Sequence, residues 1–253
     1  MTVRPDGGAL GNRNLFPSQP HLEIAYFDDF CGAADDVYDS TQLNTGTFVG
    51  TPIHGGGMLA DSGGAGAGDG ITVFMNAGIE PDECGGDYAF EARVRFSTDA
   101  STDEGSDEMF IGLASRDTTL IASDAMDTQN AAFVGFTSDL VQAGAGGNLS
   151  FVSSGTANAI SNEGTAGTPL LTVSGTSGVS AFVRLGFRVA NGRAQAFING
   201  KKVGSEISTN LPSSQVLAPA FVAQTGGEGR TKFIVDYVMV GAAGRFSGTE
   251  ANV

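Results

Sequence analysis

Two carboxyls about 5–5.5 Å apart across a glycosidic bond can hydrolyse it with retention. Residues i and i+2 of a strand share a face and can supply such a pair. The nearest match is Glu80, Asp82 and Glu83, in the run IEPDECGG. Pro81, Cys84 and the paired glycines make that run a turn, so the spacing is read as coincidence. Glu91 and Asp236 fall on strand-like segments, but neither has an acidic residue two positions away. The only histidines, His21 and His54, lie in a Pro- and Gly-containing arm and a Gly-rich loop. Neither has a Ser or Cys motif beside it, so both read as solvated side chains rather than bases.

Metal and phosphate chemistry find as little. Two histidines exclude a three-His zinc site, and Cys31 and Cys84 exclude a four-thiolate one. Asp99, Asp103, Glu104, Asp107 and Glu108 could offer oxygens to calcium, but their spacing does not match a DxDxDG loop, and a solvated acidic loop is the reading. The segment 63–70 has the glycine content of a phosphate loop without its Lys, and Asp61 and Asp69 would repel phosphate. No catalytic, cofactor or metal residue is therefore assigned. Cys31 and Cys84 each precede Gly; two free buried thiols are favoured over a bond in a reducing compartment.

The elements that would carry any site are strands. The run SAFVRLGFRVANGRAQAFINGKKVG, 180–204, reads as two strands joined by Asn191-Gly192, a pair suited to a type I′ turn in which both residues take positive φ. That turn sets Val189 opposite Ala194, Phe187 opposite Ala196 and Leu185 opposite Ile198. These are the apolar positions of both strands, so turn chemistry and alternation agree on one buried face. Arg184, Arg188, Arg193 and Gln195 fall on the other, with Phe197 as its apolar exception. Asn199-Gly200 turns the chain again and returns Val203 to the buried side opposite Ala196.

Other strands follow at 23–30, 47–53, 71–76, 87–97, 108–115, 131–138, 148–153, 170–173, 218–225 and 231–241. The clearest is 87–97, with Tyr88, Phe90, Ala92, Val94 and Phe96 on one face and Asp87, Glu91, Arg93 and Arg95 on the other. In 231–241, unbroken alternation puts Phe233, Val235, Tyr237 and Met239 on one side. The segments 108–115 and 131–138 are apolar on both faces, as in the middle of a doubly covered sheet or in a subunit contact. Segments 31–44, 55–70 and 155–167 read as connections, and Ser123-Asp124 as the cap of a single helical turn. Residues 1–22 carry three prolines and little to bury except Leu15 and Phe16, and read as an extended arm.

Composition agrees with an all-β chain: 38 Gly, 17 Phe, no Trp and 41% hydrophobic residues, with few helix-favouring patterns. The net charge of −15 repels nucleic acid and anionic membranes. No apolar run is long enough to span a bilayer. The N-terminus lacks a signal-peptide hydrophobic segment, which points to synthesis in a cytoplasm. The expected fold is a single antiparallel β-sandwich over 23–253, preceded by the arm.

The YFDDF strand, the FVRLGFRVANGRAQAFINGKKVG hairpin and the APAFVAQT and KFIVDYVMVG strands together resemble the concanavalin A-like lectin/glucanase (laminin-G-like) jelly rolls, over roughly 23–241. The resemblance implies that fold. In members that hydrolyse glycans it also implies carboxylates at i, i+2 and about i+5 of one strand, a set with no match here. Acidic, glycine-rich chains of this kind with an arm are similar to tailed-bacteriophage virion proteins. The expected function is accordingly non-enzymatic: a capsid decoration protein, made in the host cytoplasm and located in the virion. It would be oligomeric and bind a major capsid protein or other virion proteins through Leu15, Phe16, Phe110, Phe133 and Phe136. The alternative is a lectin-like module that binds surface glycans. A glycoside hydrolase is disfavoured, and no cofactor, nucleic acid or membrane partner is expected.

Overall fold

The structure, a computed structural model, describes residues 23–30, 38–50, 57–64, 68–96, 107–116, 120–122, 125–126, 131–138, 149–155, 159–164, 168–171, 181–225 and 231–243. Leu15, Phe16, His21, Cys31, His54, Asp99, Asp103 and Glu104 lie outside them.

In chain order the strands are β1 (Glu23–Asp28), β2 (Tyr38–Leu43), β3 (Thr47–Gly50), β4 (Met58–Asp61), β5 (Gly70–Met75), β6 (Tyr88–Phe96), β7 (Asp107–Ala114), β8 (Ile121–Ala122), β9 (Ala125–Met126), β10 (Phe133–Thr137), β11 (Ser150–Ser154), β12 (Ser161–Glu163), β13 (Val183–Ala190), β14 (Arg193–Ile198), β15 (Lys201–Ile207), β16 (Ala218–Thr225) and β17 (Lys232–Ala242). Among the described residues there is no helix. Two antiparallel sheets form a sandwich. The first runs β15-β14-β13-β6-β17-β4-β3, with β1 also on β17, and the second β12-β11-β10-β7-β16-β5-β2.

The β13–β14 hairpin forms with the register that its turn dictates. Leu185 pairs with Ile198, Phe187 with Ala196 and Val189 with Ala194, and Val203 then pairs with Ala196. Asn191 and Asn199 both take positive φ, 51° in each case. Strand β6 buries Tyr88, Phe90, Ala92, Val94 and Phe96 on one side, as alternation predicts. The sheets are joined by a chain of rings. Phe90 stacks on Phe187 at 5.4 Å, Phe187 lies 5.6 Å from Phe151, and Phe151 lies 5.4 Å from Phe136. Each such ring removed from water contributes roughly 1.5–3 kcal/mol.

The two-sided apolar strands β7 and β10 sit in the middle of the second sheet. Their inner side chains, Ile111, Leu113, Val134 and Phe136, meet the first sheet. Their outer ones, Phe110 and Phe133, pack edge-on at 5.9 Å beneath Leu120, Ile121, Met126 and Ala131. This corrects the assignment of Phe110, Phe133 and Phe136 as partner contacts. All three are fully buried within one chain, so none has surface left for a second. Gly112 and Gly135 face each other across the same two strands, and a Cβ on Gly135 would stand 2.8 Å from the Phe110 ring. The glycines make room for that ring.

Other departures share a cause: strands paired far along the chain do not need a strong local pattern. Residues 38–43, read as a connection, form edge strand β2 against β5. Residues 58–61 and 161–163, read as loops, form β4 and β12. Of the expected strand at 170–173, residues 172 and 173 lie outside the described residues, and Leu171 forms a bridge to Leu149. Ser123 and Asp124, read as the cap of a helical turn, lie outside the described residues; β8 and β9 on either side of them pair as a small ladder. Finally, β17 carries a bulge. Val235 pairs with Val94 and Tyr237 with Arg93, so Asp236 is the extra residue and the alternation changes phase there. Phe233, Val235, Val238 and Val240 enter the core between the sheets, whereas unbroken alternation would have put Tyr237 and Met239 there with Phe233 and Val235; Met239 is buried outside that cluster.

Candidate functional site

The outer face of the first sheet, turned away from the core, gathers most of the polar chemistry described. The bulge in β17 puts Asp236 and Tyr237 there side by side. Arg93 donates to Asp236 at 2.6 Å, and the Tyr237 hydroxyl donates to Glu91 at 2.6 Å. Arg184 stands 3.9 Å from the same Glu91 carboxylate. Arg93 and Arg95 lie over the Phe182 ring, 4.5 and 5.1 Å from its centre. Burial, and then the bond to Glu91, push the Tyr237 phenol well above its usual range. It is a neutral donor there.

Beside this row the surface sinks into a depression of about 430 Å³, lined by Arg188, Ala190, Asn191, Arg193, Gln195, Phe197, Lys202 and Glu206. A second bulge builds it. Ala194 pairs with Ile207 and Ala196 with Val203, so β15 spends four residues where β14 spends two. Gly204, at φ 64°, supports this excursion. The excursion carries Glu206 within reach of two cations: Arg193 donates to it at 3.1 Å and Lys202 at 3.3 Å. Those two bonds hold the Glu206 carboxyl below its usual range. Arg188, at one side, grips Asp87 with Nε at 3.2 Å and Nη2 at 3.0 Å.

Gln195 lies in this lining and is only 8% exposed. Its Nε2 donates to the carbonyls of Val203 at 2.7 Å and Ala196 at 3.0 Å. Those two acceptors fix the amide's orientation, since the reverse would set oxygen against oxygen. The Oε1 is left buried with no hydrogen-bond partner. A buried acceptor in that state is costly and wants a donor.

The other residues singled out from the sequence are scattered. Glu80, Asp82 and Glu83 sit in a tight turn, closed by Gly86 N donating to Pro81 O at 2.8 Å. Asp82 and Glu83 point into solvent. Cys84, in the same turn, is a free thiol, and burial together with Glu83 and Glu80 pushes its pKa up. It is a poor nucleophile. Asp61 accepts from Gly63 N at 2.8 Å, so its carboxylate occupies the turn where a phosphate loop would offer amides. Glu108 is not in a solvated loop: it is 1% exposed on β7, opposite Gln224 of β16. Among the described residues no three His, Cys, Asp or Glu cluster as for a metal ion. No described strand carries acids at i and i+2. Arg188, Arg193, Gln195 and Phe197 were legible as an outer face but not as a site. Lys202, opposite Phe197 in the regular register, was not singled out, and Glu206 was missed because only the bulge brings it there.

No protein-family model and no curated protein matches the chain. Solved structures do. The catalytic domain of an endo-1,3-beta-glucanase (laminarinase) from Thermotoga petrophila matches with a TM-score of 0.54 at 10% identity, over 88% of this chain and 99% of that one. The Crh5 transglycosylase in complex with NAG matches with 0.52 at 13%, over 88% and 87%. The carbohydrate recognition domain of Emp47p matches with 0.50 at 9%, over 88% and 98%. At such identities the likeness is one of fold, and the fold is the concanavalin A-like jelly roll that the sequence resembles. The same neighbours overturn the expectation of a non-enzymatic virion protein that decorates a capsid. They are glucanases, transglycosylases and a carbohydrate recognition domain, most of them enzymes, and nothing among them points to a bacteriophage.

Proposed function

We propose that this chain engages a carbohydrate, held in the depression that Arg188, Arg193, Gln195, Phe197, Lys202 and Glu206 line. The observation that carries this reading is an aromatic ring, Phe197, set among Arg188, Arg193, Lys202 and Glu206 in one depression. The surroundings suit such a ligand. Phe197 offers an apolar ring beside several fixed polar groups, and the volume is that of a small-ligand site. The likeness in fold to a laminarinase, a transglycosylase bound to NAG and a carbohydrate recognition domain supports the same class of ligand.

Hydrolysis with retention would need a second carboxyl about 5–5.5 Å from the first, and Glu206 is the one carboxylate among the lining residues. The reading therefore rests on binding. A glycan array probed with the purified chain tests it, and the same glycans assayed for released reducing sugar test for turnover. Specific retention of one glycan class, weakened by Phe197→Ala, is expected. A blank array would sink the reading.

A further inference from the structure

The depression is basic in an acidic protein. The chain has 28 Asp and Glu against 13 Lys and Arg, yet this one hollow is lined by three cations and a single carboxylate. Glu206 is shared by Arg193 and Lys202, each through one bond. Both cations are more than half exposed, so both keep donors for an incoming group. In the same lining lies the Phe197 ring. The hollow thus offers cationic donors beside an aromatic ring, a set that matches an acid group carried on a sugar ring.

We propose that the sugar taken here is an anionic one, carboxylated or sulfated. Its acid group meets Arg193 and Lys202, and its ring lies against Phe197. Glu206 is the occupant that this acid group displaces: it holds the two cations in place while the site is empty and competes with the ligand when it arrives. This assignment rests on the carbohydrate reading above and narrows it.

Three glycans separate the possibilities in one affinity experiment: oligogalacturonate carries carboxylates, dextran sulfate carries sulfates, and laminarin is neutral. The expected result is retention of one of the acidic glycans and not of laminarin, with affinity falling as salt is raised. Lys202→Met should weaken that binding about ten-fold, the loss of one charge-assisted hydrogen bond. Glu206→Gln should tighten it, since the competing charge is gone. Both side chains are exposed, so the fold survives either change. Laminarin held as well as the acidic glycans would overturn the anionic assignment and leave the carbohydrate reading standing. Acidic glycans held equally by the wild type and both variants would overturn it by placing the site elsewhere. Failure to hold any glycan would remove the carbohydrate reading and this inference with it.

Discussion

Gln195 donates its side-chain amide to the main-chain carbonyl of Val203 at 2.7 Å, across the bulge that separates β14 from β15. A ladder hydrogen bond is lost where β15 loops out, and a side chain takes its place. The bulge and the glutamine therefore depend on each other. Gln195→Leu keeps the volume but leaves the Val203 carbonyl without this donor. The expected cost is about 1–3 kcal/mol, read as a lower urea midpoint with an unchanged slope. An unchanged midpoint would show that the amide does not hold the bulge.

The two turn asparagines should respond differently to glycine. Asn191 and Asn199 both sit at φ 51°, where glycine is at ease. Asn191→Gly should be close to neutral. Asn199 does more: its Oδ1 accepts from Arg184 N at 2.9 Å, and its own N donates to Arg184 O at 2.8 Å. Asn199→Gly should therefore cost about 1 kcal/mol through the lost side-chain bond. Thermal melts of the two variants side by side decide the point.

Gly135 leaves no room for a methyl group. A Cβ there would stand 2.6 Å from Ile111 O and 2.8 Å from Gly112 Cα, both main-chain atoms that cannot step aside. Gly135→Ala should destabilise the chain by about 1–3 kcal/mol or more, through strain and displacement of Phe110. Gly50→Ala serves as the control, because nothing lies within 4 Å of a Cβ at that edge position. Equal melting temperatures for the two variants would contradict the close approach of β7 and β10.

Alkali should unfold the protein through its tyrosines. Tyr26, Tyr88 and Tyr237 are three of the four. Burial, the first cause in each case, raises all three phenols above their ordinary value. In the unfolded chain they ionise near pH ~10; in the folded chain they stay protonated beyond it. Their contribution to stability is whole below about pH 10 and is lost as pH rises toward the folded values. Phenolate absorbance should therefore lag behind that of free tyrosine and rise together with loss of structure. Smooth titration of all four tyrosines near pH ~10 in the folded protein would refute this.

The sequence alone determined what depends on neighbours along the chain. A two-residue turn and period-2 alternation are local properties, so the 183–198 hairpin, its register and the buried face of β6 could be read directly, and the sandwich with them. Two apolar faces on β7 and β10 were also visible, but not what covered them. A strand's pattern records that a face is buried, not whether the cover is its own chain or another, and only the fold laid Leu120, Ile121, Met126 and Ala131 over Phe110 and Phe133. The candidate site was legible only as the outer face that Arg188, Arg193, Gln195 and Phe197 share; its shape belongs to the tertiary level. An extra residue in β17 turned Asp236 and Tyr237 to one face, and an excursion in β15 brought Glu206 to Arg193 and Lys202. A bulge is set by how two paired strands fit each other, and neither strand's own residues declare it.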